Sequence, residues 1–128
     1  MGNPRCIAFI CIPFMFSLLA TSSTQGQKTR EHNIERLIEQ LQDESKSLRL
    51  MAADALANLG PEAKEAESVL IQALRDEDKD VRGAAAKALW KIGPETEDAV
   101  PALIESLKED DGTIRGMAAL ALGAIAKP

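Results

Sequence analysis

The stretch Asp80-Val81-Arg82-Gly83-Ala84-Ala85-Ala86-Lys87-Ala88-Leu89-Trp90-Lys91-Ile92, followed by Gly93-Pro94, decides the fold. Val81, Ala85, Ala88, Leu89 and Ile92 fall at i, i+4, i+7, i+8 and i+11, one face of an α-helix. Gly93 suits the left-handed cap that ends such a helix, and Pro94 cannot continue it. Upstream, Asp76-Glu77-Asp78-Lys79-Asp80 is a short polar turn whose aspartates favour the helix N-terminus. Before that turn, Val69, Leu70, Ile71 and Leu74 lay an apolar stripe on a first helix expected over about residues 63–74. The spacing therefore predicts a helical hairpin.

The hairpin is copied. At an offset of 33 residues Leu37, Leu70 and Leu103 align, as do Leu41, Leu74 and Leu107. So do Leu48, Val81 and Ile114; Arg49, Arg82 and Arg115; Ala52, Ala85 and Ala118; and Leu56, Leu89 and Leu122, with no gap. A fixed period of this length marks stacked units, each burying its apolar face only against its neighbours. The expectation is an all-α chain of three stacked hairpins and about six helices, with repeats near 33–60, 61–93 and 94–127.

The string Asp78-x-x-Val81-Arg82-x-x-Ala85-Ala86-x-Ala88-Leu89, preceded by Leu70-Ile71-x-x-Leu74, resembles the HEAT repeats, in particular the short bacterial kind called PBS-lyase-like HEAT repeats. The resemblance covers about residues 33–127. It implies a short right-handed α-solenoid whose second helices line a concave surface used to bind proteins or other ligands. Two enzyme groups share the repeat type. The iron oxidoreductase deoxyhypusine hydroxylase builds its metal site from His-Glu pairs, but His32, the one histidine here, is followed by Asn33. The phycobilin lyases are longer chains enclosing a chromophore in a larger concave face. Neither enzyme reading finds its residues in this chain, and no catalytic group, cofactor or metal site is expected.

Composition agrees with a binding module. The 128-residue chain carries 15 basic and 20 acidic residues, for a formal net charge of −5. An acidic chain without a basic run lacks the counter-charge that nucleic-acid phosphates require. The acidic turns Asp76–Asp80 and Glu109–Gly112 are too short for a calcium loop of about twelve residues and read as solvated helix caps.

The N-terminus reads differently. Ile7 to Ala20 holds no charge, follows Arg5 and precedes the small polar run Thr21–Gly26. This is the layout of a secretory signal peptide over residues 1–26, with cleavage after Ala20 or Gly26. The alternative is a membrane anchor formed by residues 7–20. Removing the leader takes Cys6, Cys11 and all three phenylalanines, and leaves 27–128 with 14 basic and 20 acidic residues. The expected product is an exported (periplasmic or secreted) repeat domain without a thiol, off the membrane, whose single aromatic residue is Trp90.

Candidate binding residues follow from the far side of the second helices. At about 100° per residue Trp90 falls nearly opposite the core stripe, and its counterparts are the small Ala57 and Gly123. An aromatic ring with open space beside it is a favoured binding anchor. Lys87 and Gly83 share that face, with Leu50 and Asp54 one repeat earlier and Leu120 one repeat later than Lys87. The expected partner is a protein or peptide. The structural alternative lays Trp90 flat over Ala57 or Gly123. Arg49, Arg82 and Arg115 are expected as a structural ladder pairing with turn carboxylates. From Gly116 to Ala126 there is no charge, so the third second helix is apolar nearly all round, a candidate surface for homo-oligomer formation.

Overall fold

The computed structural model describes residue 26 and residues 28–126. The signal peptide expected over residues 1–26, its alternative as an anchor over 7–20 and the cleavage point after Ala20 lie outside the described residues. The chain divides into two compact units, Met1–Asn33 and Ile34–Pro128. In the first, residues 28–33 are helical. The second holds the repeats, and its elements are helical with no strand among the described residues.

Residues 34–41 form α1, and α2 follows over Lys46–Leu59. Two 14-residue helices repeat α2 at the 33-residue period, α4 over Lys79–Ile92 and α6 over Gly112–Ile125. The sequence expectation placed α4 over 80–92, one residue short. Side-chain capping starts two of the three. Asp78 accepts from the Asp80 and Val81 amides at 2.9 and 3.4 Å, and Asp111 from Thr113 and Ile114 at 2.8 and 3.3 Å. Ser45, in the same place before α2, makes no side-chain cap bond. Gly60 and Gly93 end α2 and α4 at φ +61 and +97, a region closed to most side chains, and Pro61 and Pro94 follow.

The first helices are shorter than their apolar pattern implied. Instead of one helix over 63–74, Gly60–Ala66 winds as a 3₁₀ segment and only Glu67–Ala73, α3, is α-helical. Ala63 leaves helical geometry at φ −88, ψ 16. The buried pair Ala63 and Ala66, three residues apart, stacks on one side of a 3₁₀ turn, where i and i+3 eclipse. The third repeat follows suit with a 3₁₀ turn over Glu97–Ala99 and α5 over Val100–Ser106. There Thr96 replaces Ala63, fully buried, and its hydroxyl donates to the Gly93 carbonyl at 2.9 Å.

Packing runs mainly along the second helices. α4 lies between α2 and α6, while α3 packs on α4 and α5 on α6. Ala52, Ala53, Ala85, Ala86, Ala88, Ala118 and Ala121 are fully buried at these contacts, and so small a side chain lets neighbouring backbones approach closely. Leu56, Leu70, Leu89, Leu103, Val81 and Ile114 fill the remaining space. Fully burying a side chain of that size is worth about 1.5–3 kcal/mol.

Candidate functional site

Two rows of side chains occupy opposite tasks on the second helices. The first holds the repeats together. Arg49 Nη1 donates to the backbone carbonyls of Asp43 and Glu44 at 2.9 and 2.8 Å. Its other nitrogens reach into the next repeat, Nε lying 2.8 Å from Asp76 Oδ2 and Nη2 3.2 Å from Asp76 Oδ1. Arg82 repeats the pattern 33 residues on. Its Nη1 donates to the Asp76 and Glu77 carbonyls at 2.7 and 3.2 Å, and its Nε lies 3.1 Å from Glu109 Oε1. Arg115 Nη1 donates to the Glu109 and Asp110 carbonyls at 2.8 and 2.7 Å. Arg49 and Arg82 thus each satisfy their own turn and clamp the turn that follows, using the planar fork that lysine lacks, whereas Arg115 holds its own turn. Lys46 adds a second link between the first two repeats, 2.8 Å from Asp78 Oδ2 and 3.2 Å from Asp80 Oδ2. That bond holds the Asp78 carboxyl below the ordinary aspartate range, helped by the Asp80 and Val81 amides, and raises the Lys46 ammonium.

The second row lines a groove. Between α2, α4 and α6 a cavity of about 390 Å³ opens to solvent. Leu50, Gly83, Ala84, Ile114 and Met117 give it an apolar floor. Asp54, Lys79, Asp80, Lys87 and Asp111 place charges of both signs around it. The Asp111 carboxyl sits below its ordinary range because the Ile114 and Thr113 amides donate to it, with Lys79 nearby. Gly83 leaves the floor open; a Cβ there meets Ile114 Cγ1 at 3.7 Å, ordinary contact.

The structure brings four expected residues together, since Leu50, Asp54, Gly83 and Lys87 all line this groove. Trp90 and Leu120 are not among its lining residues. Trp90 is half-buried against the core, with the Lys91 ammonium 4.3 Å above its ring centroid, a cation–π arrangement. Leu120 is 46 % exposed and stands one repeat beyond Lys87, so one helical position carries Asp54, then Lys87, then Leu120. Sequence reasoning missed Met117, Ile114 and Lys79. A groove between helices is walled by their flanks, whereas an angular reading of one helix reports only its far face. Met117 was nonetheless legible as the third-repeat counterpart of Met51 and Ala84.

This arrangement defines a stacked helical-repeat protein whose polar chemistry goes into joining repeats and into one open face. The family model for HEAT repeats matches residues 34–123, and the chain belongs to the HEAT-repeat family. Its structure is similar to the crystal structure of an engineered protein, with 29 % identity and a TM-score of 0.67 over 73 % of this chain and 45 % of that one. It is also similar to a designed armadillo repeat protein in complex with the peptide (KR)4, at 24 % identity and a TM-score of 0.65, covering 72 % of this chain and 46 % of that one. The chain thus spans less than half the length of either neighbour. No curated protein matches it.

Proposed function

We infer that the protein is an exported, non-catalytic HEAT-repeat module that holds a protein or peptide along the open face of its second helices. The groove between α2, α4 and α6 carries this reading. Its apolar floor suits one or two apolar side chains of a partner, and its carboxylates and ammonium groups suit charges of both signs. The resemblance to HEAT repeats implies a right-handed stack with the second helices on its inner surface, and the packing of α4 against both α2 and α6 supports the side-by-side stacking of those helices. The HEAT/armadillo fold is typically a protein-binding scaffold, and a structural neighbour is a designed repeat protein with a peptide bound. Export rests on the charge-free stretch from Ile7 to Ala20 with Arg5 before it.

Immobilised protein incubated with an exported fraction tests the reading, using wild type, Lys87→Glu and Trp90→Ala in parallel. A protein retained by wild type and lost from Lys87→Glu supports the groove, and additional loss from Trp90→Ala extends the contact to the indole. Equal retention by all three variants refutes the proposed face. No helix among the described residues is long and apolar enough to cross a membrane.

A further inference from the structure

The arginine ladder is incomplete at both ends, and the two loose ends match. At one end, the Arg115 guanidinium holds its own turn through Nη1, as Arg49 and Arg82 do, yet no carboxylate among the described residues pairs with it. At the other end, Asp43 is the first-repeat counterpart of Asp76 and Glu109. Its Oδ1 accepts from the Ser45 amide at 2.8 Å, just as Asp76 Oδ1 accepts from the Asp78 amide at 2.9 Å. Asp76 Oδ2 is ion-paired with Arg49, 2.8 Å from its Nε, whereas Asp43 Oδ2 has no such partner among the described residues. Asp43 is folded for an arginine that no described residue supplies.

The apolar surfaces beside these groups are open in the same complementary way. Ala53 and Ala86 are fully buried by the following repeat, but their counterpart Ala119 is exposed. Leu41 and Leu74 are each 3 % exposed, while Leu107 is 38 % exposed. On the first repeat, Met51 is 66 % exposed where Ala84 is 7 % exposed. Leu48 is half-buried where Val81 is fully buried. The third repeat therefore exposes side chains that a following repeat covers on the first two, and the first exposes side chains whose counterparts on the second are buried.

The geometry points to end-to-end self-association, in which α6 and Arg115 of one copy receive α2 and Asp43 of a second copy in the register that joins repeats within the chain. The contact is heterologous, so it leaves a free Arg115 and a free Asp43 at the two ends and extends without closing unless the rotation per copy forms a ring. It does not use the groove lined by Lys87 and Gly83, and it stands independently of the partner proposed there.

Sedimentation velocity of the full chain over a wide concentration range, with Arg115→Asp and Asp43→Arg run separately and mixed one to one, tests this. Both side chains are exposed, so melting curves by circular dichroism are expected to show both variants folded. Wild type is expected to gain mass with concentration. Each variant alone sets like charges face to face and is expected to weaken association at least about tenfold. The mixture restores opposite charges at every junction and is expected to regain the wild-type behaviour. A wild type that stays monomeric throughout overturns the inference. So does association that either single variant leaves unchanged, or a mixture that fails to recover what the single variants lost.

Discussion

Arg49 Nε lies 2.8 Å from Asp76 Oδ2 across the boundary between the first and second repeats, with both side chains nearly out of solvent, at 9 % and 12 % exposure. The equivalent pair, Arg82 and Glu109, is more open, at 20 % and 30 %. Arg115 is exposed, and among the described residues it bonds only to backbone carbonyls of its own turn. One residue type at one repeat position thus occupies three grades of burial, which separates the energetic worth of the contact from its geometry.

Truncation of the three arginines should be graded in the same order. Removing Arg49 strands a buried carboxylate and two turn carbonyls, and Arg49→Ala is expected to cost about 3 kcal/mol. Arg82→Ala is expected to cost about 2 kcal/mol, and Arg115→Ala less than about 1 kcal/mol. Urea unfolding of the three variants checks this, and a flat series contradicts the ladder as a repeat clamp.

Glycines on the second helices fall into two kinds. Gly83 has helical geometry, and its added Cβ meets Ile114 at ordinary contact distance. Gly83→Ala is therefore expected to stabilise the protein by about 0.5–1 kcal/mol. Gly60 and Gly93 hold positive φ, so alanine there is expected to destabilise by about 1 kcal/mol despite the space around Gly93. Thermal melting distinguishes the signs.

Glu67 provides a pH-dependent test. Burial pushes its carboxyl above the ordinary glutamate range, the neighbouring Asp98 adds to this, and Lys64 opposes it. A carboxyl raised in the folded state binds more protons there than in the unfolded chain. Its penalty is thus absent below the unfolded pKa and grows as pH rises through the folded one. Glu67→Gln should raise the melting temperature at pH 7 and leave it nearly unchanged near pH 4. An equal effect at both pH values contradicts the assignment.

The helix caps predict an acid effect of opposite sign. Asp78, held down first by its bond to Lys46 and then by the cap amides, and Asp111, held down by its cap amides, lie below their ordinary range, so the stability they contribute is present above the unfolded aspartate pKa and is lost as pH falls through the lower folded value. Asp78→Ala and Asp111→Ala should each lower the melting temperature at pH 7, and Ser45→Ala, which removes no cap bond, should leave it unchanged. A Ser45→Ala loss as large as the other two contradicts the capping account.

Much of the repeat was legible because periodicity carries it. The apolar stripe of Val81, Ala85, Ala88, Leu89 and Ile92, the Gly-Pro stops and the recurrent arginines follow from spacing alone. The broken first helices were not legible, because Ala63 and Ala66 fit α and 3₁₀ patterns alike and only packing against the neighbouring repeat chooses. The ladder's reach was half legible. Turn carboxylates were the evident partners, but that each arginine also donates to its own turn carbonyls depends on the backbone path. The groove was least legible, since helix angles place Trp90 on the far face while the opening lies nearer the N-terminal halves of α4 and α6, around Gly83 and Thr113.

The claim that a partner lies in the groove is tested most directly by photo-crosslinking from its wall. A photoreactive amino acid replaces Lys87 in one variant, and in another it replaces Ser68, exposed on α3 away from the groove. After irradiation in an exported fraction, the account predicts a discrete protein or peptide adduct from position 87 and none from position 68. Adducts of equal yield from both positions, or from position 68 alone, contradict it.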